Sequence, residues 1–118
     1  MINFVEEVCD WNIDRDNTQY SNRLEYHMLD EEMEEYLASI MHGNPVDEAD
    51  ALADIAVVAI GGLLKLCDGN KDKVDDILLA VTAANNTKSA TKDINGKITK
   101  PADFIGPEGM IKEILDDC

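Results

Sequence analysis

Apolar residues recur at helical spacing over most of the first 84 positions, which predicts helices joined by short polar breaks. One helix is expected from about Tyr20 to His42, with an apolar stripe formed by Leu29, Met33, Tyr36, Leu37 and Ile40. Gly43 should end this helix and Asn44-Pro45 should begin the next, because asparagine caps a helix N-terminus and proline fits its first turn. The second long helix is expected to run to about Cys67.

Shorter elements are expected around these two helices. They are an amphipathic turn or two at Ile2, Val5, Val8 and Cys9, a polar break over 11–18, a helix over about 71–84, a hairpin-type turn at Asn95-Gly96 and a terminal helix over 107–115. The pattern therefore predicts an all-α helical bundle with an irregular C-terminal tail, forming a single domain over residues 1–118.

The stretch from Ile55 to Leu64 is apolar all the way round the helix, which predicts that it is buried. It is the longest uncharged apolar run, and it has about half the length that spans a bilayer, so no membrane segment is expected. The N-terminus lacks the basic and apolar regions of a signal peptide. The three cysteines (Cys9, Cys67 and Cys118) are scattered, and with two histidines they offer no zinc-ligand spacing. A reduced, cytoplasmic protein is expected.

The net charge restricts the classes of molecule that the protein can bind. With 25 acidic against 10 basic residues, the chain has a net charge of −15. Simple charge attraction therefore argues against nucleic acid or an anionic membrane as a partner. An anionic ligand such as a nucleotide would need a metal ion between itself and the protein.

Carboxylates lie beside the apolar stripe of the first long helix. On a helical wheel Glu32 and Glu35 flank one edge of that stripe, Glu31 lies behind them, and Glu34 points towards solvent. A solvated acidic face would explain this pattern if it stood alone.

The second long helix carries Asp47, Asp50 and Asp54 on one stripe. Its positive N-terminal end favours the first two, whereas Asp54 lies more than two turns in and needs a strong partner or a metal. At separations of roughly 6 Å and an effective dielectric of about 20, each like-charge pair would cost about 3 kcal/mol. The pattern therefore predicts a magnesium or manganese site, with four ligands: Glu32, Glu35, Asp50 and Asp54.

Two other metal motifs fail on residue type. The segment from Asp68 begins like a calcium-binding loop, but Lys73 stands where glycine is required and Leu79 where a bidentate glutamate is required. Neither His27 nor His42 follows a glutamate at the Glu-x-x-His spacing of a di-iron bundle.

Several motifs follow one another in a fixed order. They are Glu31-Glu-Met-Glu-Glu35, Asp50-Ala-Leu-Ala-Asp54, Asn85-Asn-Thr-Lys88, Asn95-Gly-Lys-Ile-Thr-Lys-Pro101 and Gly106-Pro-Glu108. In this order the chain resembles the MazG-type, all-alpha nucleoside triphosphate pyrophosphohydrolases, and its tail is similar to the branch related to phosphoribosyl-ATP pyrophosphohydrolase. The resemblance covers roughly residues 20–110. Ala51 stands where the family's second motif has glutamate; Asp50 is taken as the substitute, and Asp47 is the alternative fourth ligand.

The resemblance implies Mg²⁺-dependent hydrolysis, with Mn²⁺ possible, of a nucleoside or deoxynucleoside triphosphate to the monophosphate and pyrophosphate. It implies that water attacks the α-phosphate and that Glu31 positions and activates this water. The substrate-binding residues that it implies lie in the tail: Lys88, Lys97, Lys100, Asn85 and Asn86. The fold it implies is a helical bundle of the all-alpha NTP pyrophosphatase type, assembled as a homodimer or homotetramer.

Two points stay open at this stage. The nucleobase pocket has three candidate residues: Trp11, Asn22 and Tyr26. The alternative function is a non-catalytic helical module that binds metal or nucleotide, or that assembles with a partner.

Overall fold

The computed structural model describes residues 3–117, in which the regular structure is α-helical. The helices are α1 (Phe4–Asp14), α2 (Asn22–Met41), α3 (Pro45–Leu66), α4 (Lys71–Asn85) and α5 (Glu108–Asp116). No strand forms within residues 3–117, although an isolated antiparallel bridge joins Lys92 to Ile98. The all-α fold class is therefore confirmed, while the type of bundle and the oligomeric state stay predictions.

The chain forms two compact units, one that extends to Lys71 and one that begins at Asp72. The first unit contains α1, α2 and α3, and the second contains nearly all of α4, the tail and α5. The expectation of one domain over residues 1–118 stays a prediction. Among the helices of residues 3–117, none has the length and hydrophobicity needed to cross a bilayer.

Local capping chemistry sets the ends of α2 and α3. Gly43 follows α2 with a φ of 62°, a left-handed conformation that glycine adopts without strain. The Asn44 side chain accepts hydrogen bonds from the backbone N–H groups of Val46 and Asp47, at 3.0 and 3.3 Å, with Pro45 in the first turn. The predicted stop and start of the two helices are both confirmed.

Helix α1 is longer than the sequence pattern predicted; Ile2, the first residue of that pattern, lies outside the described residues. The polar break was expected from Trp11, but the helix continues to Asp14. Asn12, which looked like part of the break, is buried, and its side-chain amide donates to the carbonyl oxygen of Val8 at 2.8 Å. Arg15 stacks on the Trp11 ring, 4.2 Å from its centroid, and also donates to the Trp11 carbonyl oxygen. These contacts extend the helix by one turn.

Helix α3 lies at the centre of the first unit, because both α1 and α2 pack against it. Ala51, Ile60 and Leu64 are buried on the covered sides. The expectation that α3 is buried all round from Ile55 to Leu64 is wrong for the single chain, since Ala56 and Ala59 are exposed and Val57 is 38% exposed. Two neighbouring helices cannot cover the whole circumference of a third, so one flank stays open to solvent.

The second unit contains α4, a hairpin-like tail and α5. One face of α4 is buried, through Val74, Ile77, Ala80 and Ala84. The expected turn is present: Gly96 has a φ of 81°, and the backbone N–H of Asp93 donates to the Lys97 carbonyl oxygen at 2.8 Å. The terminal helix α5 is also present, within one residue of its predicted ends.

Candidate metal centre

Three carboxylates converge between the antiparallel helices α2 and α3. Glu32 and Glu35 come from α2 and Asp54 comes from α3, and one oxygen from each lies within 4.8 Å of the other two. Glu32 and Asp54 are half-buried and Glu35 is exposed. We call Glu32, Glu35 and Asp54 the carboxylate triad. Three of the four ligands predicted from the sequence therefore meet in space.

Glu32 has the most unfavourable surroundings of the triad. Burial raises the pKa of its carboxyl, and the negative charge of Glu35, a hydrogen bond with Glu35, and the charges of Asp54 and Glu31 raise it further. Its Oε2 atom is fully buried and has no hydrogen-bond partner among the described residues. A buried acceptor without a donor is costly, so the position of this atom favours a bound cation or a hydrogen-bond donor.

The triad fits a hard divalent cation. Mg²⁺ binds oxygen ligands at about 2.0–2.1 Å, which places two oxygens on one ion at most about 4.2 Å apart. Ions of a two-metal site lie about 3.5–4 Å apart. Separations of up to 4.8 Å need only small side-chain adjustments to reach either arrangement. Two negative charges about 5 Å apart repel by ~3 kcal/mol at an effective dielectric of about 20, and by less where water screens them. A cation bound between the carboxylates would replace this repulsion with attraction.

The remaining acidic residues of the prediction lie close by. Asp50, one turn before Asp54, is exposed and lines a cavity of about 250 Å³ that Glu35 and Asp47 also line. Asp47 accepts a hydrogen bond at 3.0 Å from the side chain of Asn44, the residue that caps α3, and Asp47 stays the alternative fourth ligand. Asp50 is outside the triad, so its role as the fourth ligand stays a prediction. Glu31 is exposed, and its Oε1 lies 3.0 Å from His27 Nε2.

The predicted phosphate-binding lysines belong to the second unit. Lys88 and Lys100 both approach the ring of Phe104, with their Nζ atoms 5.8 and 5.2 Å from its centroid. This is the distance range of cation–π contacts, which contribute about 0.5–1 kcal/mol each at exposed sites. Lys97 lies apart in the turn, where its backbone N–H donates to the Asp93 carboxylate at 3.0 Å. Asn85 ends α4, and Asn86 follows it; both are exposed.

Sequence reasoning missed a buried ion pair on the two helices that carry the triad. Lys65 Nζ on α3 lies 2.5 Å from Glu25 Oε1 on α2, and the side chains are 3% and 8% exposed. The sequence spacing gives one indication of this pair. Glu25 precedes Glu32 by seven residues and Lys65 follows Asp54 by eleven, so Glu25 and Lys65 lie on the same helix faces as the triad carboxylates. The two charges lie 40 residues apart, so the sequence alone does not show that they pair.

Two glycines make room for buried polar side chains at this end of the hairpin. A Cβ on Gly62 would lie 3.1 Å from Glu25 Oε2, and one on Gly61 would lie 3.4 Å from the Asn12 amide nitrogen. Asn12 also accepts a hydrogen bond from the Asn17 side chain at 2.7 Å. The small residues of α3 therefore serve polar contacts as well as close helix packing.

Comparison with known proteins gives no match to a family model and none to a curated protein.

We expect Mg²⁺ or Mn²⁺ to stabilise the fold through the triad, by an amount that depends on pH. An ion at about 100 times its Kd adds ~2.7 kcal/mol, or on the order of 10 °C in Tm. Without metal, the native state holds the Glu32 proton more tightly than the unfolded chain does. Stability should therefore fall as pH rises from the ordinary carboxyl range through the raised pKa. Stabilisation by metal should grow over the same window, because the ion displaces that proton.

Thermal unfolding followed by circular dichroism, with and without each ion at several pH values, measures this effect. Glu32→Gln is the control, and it should lose both the metal response and the pH response. Absence of stabilisation by either ion across the pH range would rule out a shared site at these carboxylates.

Proposed function

We propose that the protein hydrolyses a nucleoside or deoxynucleoside triphosphate to the monophosphate and pyrophosphate, with Mg²⁺ or Mn²⁺ as the cofactor. Two observations carry this proposal: Glu32, Glu35 and Asp54 converge, and the buried Oε2 atom of Glu32 has no hydrogen-bond partner among the described residues. The chain is strongly acidic, so a cation held there would let an anionic substrate approach. The MazG-like resemblance of the sequence supplies the reaction class.

Glu32, Glu35 and Asp54 would hold the metal ion, with Asp50 as the proposed fourth ligand. When bound, the ion would neutralise phosphate charge and polarise the α-phosphorus. Glu31 lies next to the triad in sequence and is exposed, which suits a base that holds a water molecule. It takes the water proton as the new oxygen–phosphorus bond forms and the bond to the pyrophosphate oxygen breaks. The His27 contact orients this carboxylate.

The phosphate chain of the substrate needs cations beyond the metal. Lys88 and Lys100 are proposed to bind it, because Phe104 gathers their ammonium groups around one ring. Lys97, which lies apart from these two in the neighbouring turn, is proposed as a third cation for the phosphate chain. Asn85 and Asn86 are proposed to donate hydrogen bonds to the sugar or base.

A nucleobase pocket is proposed between α1 and α3. Phe4, Val8, Trp11 and Val57 line an apolar cavity of about 280 Å³, with the Glu7 carboxylate among its lining groups. Val57 follows Asp54 by three residues, so the pocket begins about one helical turn from the triad. Tyr26 and Asn22 line a different cavity beside α2, and they remain the alternative.

Assembly as a homodimer or homotetramer is also proposed, on the basis of an exposed apolar flank. This flank consists of Met33, Leu37 and Ile40 on α2 and Leu52 and Leu66 on α3, each between 46% and 57% exposed. On each helix these residues lie roughly 80–160° round from the triad carboxylates. Because the two helices are antiparallel, both sets fall on the same side of the hairpin. Two hairpins joined there would form a four-helix bundle.

A reducing, cytoplasmic setting is consistent with the described cysteines, since Cys9 and Cys67 are buried thiols. Cys118 lies outside the described residues.

The function is tested by incubation with a panel of ribo- and deoxyribonucleoside triphosphates and Mg²⁺ in ¹⁸O-labelled water. We expect monophosphate and pyrophosphate as products, with the label in the monophosphate, because water attacks the α-phosphorus. Label in the pyrophosphate would place the attack at the β-phosphorus and contradict the mechanism. Release of orthophosphate would place the cleavage at the γ-phosphate and would also contradict the mechanism. No turnover across the panel would favour the alternative of a non-catalytic binding or assembly module.

A further inference from the structure

The buried ion pair between α2 and α3 has no part in the proposed chemistry. Lys65 Nζ and Glu25 Oε1 are 2.5 Å apart, and the side chains are 3% and 8% exposed. Removing two charges from water costs several kcal/mol for each ion, and a well-packed apolar pair of similar size is often as stable. A contribution to stability therefore does not explain why α2 and α3 bury this pair.

Alignment of the two helices does offer an explanation. Leu29 and Ser39 on α2 are half-buried or buried, as are Ala51 and Val58 on α3, and Ser39 and Ala51 line one cavity. Apart from the charged groups, the covered faces of the two helices therefore carry small or apolar side chains. Apolar and small side chains can pack in several neighbouring registers with similar energy. A buried ion pair is satisfied in one register alone, which is the best-attested structural role of such groups.

The register that the pair selects is the one that forms the triad. Glu25 lies two helical turns before Glu32 on α2, and Lys65 lies three turns after Asp54 on α3, on the faces that meet. A slip of one residue moves a side chain about 1.5 Å along the axis and about 100° around it. Metal ligands tolerate about 0.5 Å, so a slip of one residue would separate Asp54 from the two glutamates.

Gly62 further restricts the register in which the ion pair can form. A Cβ at this position would lie 3.1 Å from Glu25 Oε2, so the glycine leaves a notch that fits the Glu25 carboxylate in this register. The ion pair and the notch lie on the same turns of α3, and both act on the α2 side chain that lies two turns from Glu32.

We propose that Glu25 and Lys65 are positioning residues, which fix the register of the α2–α3 hairpin so that Glu32 and Glu35 face Asp54. This inference rests on the proposed metal site, and it assigns an effect on metal affinity to a pair that touches neither metal nor substrate.

The test compares three double variants with the wild type. Glu25→Met/Lys65→Met replaces the pair by apolar side chains of similar length. Glu25→Lys/Lys65→Glu keeps both charges with their positions exchanged. Lys112→Met/Asp116→Met removes an exposed ion pair of α5 and serves as the matched control for loss of two opposite charges. Circular dichroism and thermal unfolding establish that each variant is folded.

Two readouts follow for each folded variant. The first is Mn²⁺ affinity, from the electron paramagnetic resonance of the free ion. The second needs no metal: it is the set of nuclear Overhauser contacts from the Ala51 methyl group to α2, near Ser39, which lines the same cavity. We expect the double-methionine variant to bind Mn²⁺ at least about tenfold more weakly. Its Ala51 methyl group should either lose the Overhauser contacts near Ser39 or show additional contacts from other registers of α2. The α5 control should match the wild type. The exchanged pair keeps the opposite charges but loses the fit of the Glu25 carboxylate beside Gly62, so its Mn²⁺ affinity should lie between those of the wild type and the double-methionine variant.

Each outcome decides a different point. A folded double-methionine variant with wild-type Mn²⁺ affinity and wild-type contacts would overturn the inference. Failure of the wild type itself to bind Mn²⁺ would overturn the proposed metal site, and the metal-free contacts would still show whether the pair sets the register. If the double-methionine variant does not fold while the exchanged pair does, the pair is needed for folding rather than alignment, and the inference is overturned.

Discussion

Replacing Glu35 with glutamine is expected to lower the rate of pyrophosphate release by about 10²–10³-fold. Glutamine keeps the shape of the side chain but removes the negative charge that would hold the metal. Loss of metal-based stabilisation of the transition state is worth several kcal/mol, and each 1.36 kcal/mol is a tenfold change in rate. Steady-state assays at saturating Mg²⁺ measure the effect, and circular dichroism checks that the helices persist.

The matched control is Glu34→Gln, which makes the same change one position earlier on the same helix. Glu34 is exposed and is not part of the triad, so its replacement should leave the rate within about twofold. Glu35→Gln should also raise the Tm measured without metal, because it removes a negative charge that faces Glu32. Equal losses of rate in the two variants would mean that overall charge, rather than the triad, governs the reaction.

Replacing Lys65 alone with methionine is expected to destabilise the fold by about 3–5 kcal/mol. The substitution leaves the Glu25 carboxylate buried at 8% exposure without its partner, and breaking one side of a buried pair carries this cost. Small domains are stable by about 5–15 kcal/mol in total, so the loss is a large share. Urea unfolding gives the change, through a lower midpoint at an unchanged slope.

Lys71→Met is the matched control for that variant. Lys71 also pairs with carboxylates, at 3.0 Å from Asp10 and 3.4 Å from Glu6, but its side chain is 41% exposed. Water replaces the lost partner at such a site, so the unfolding midpoint should move little. The Glu25→Met/Lys65→Met double variant should recover most of the stability lost in Lys65→Met. Equal midpoints for Lys65→Met and Lys71→Met would show that burial of the pair is not what matters.

The helices that carry the triad could be predicted because their ends are set by local chemistry. Gly43 and Asn44-Pro45 stop and start helices through their own backbone and side-chain properties, and the structure has both boundaries where the sequence places them. The meeting of Glu32 and Glu35 with Asp54 followed from helical periodicity, since each lies at the edge of an apolar stripe.

The end of α1, the buried ion pair and the exposed flank of α3 depend on contacts between residues far apart in sequence. Helical periodicity carries no information about such contacts. Asn12 looked like part of a polar break because its partners, Val8 and Asn17, satisfy it only once the helix has formed. Glu25 and Lys65 each looked like an ordinary charged helix position, because their pairing depends on the tertiary packing of α2 on α3. The composition of α3 predicts burial on its exposed flank as well, because composition shows hydrophobicity but does not show which helices pack against α3.

The position of Trp11 gives the protein an intrinsic optical probe. The chain contains one tryptophan, and its indole ring lines the α1–α3 cavity with Arg15 stacked on its face. All indole emission therefore originates at this single corner of the first unit. Occupancy of the cavity can be followed by fluorescence in the unlabelled wild-type protein, free of background from other chromophores of the same kind.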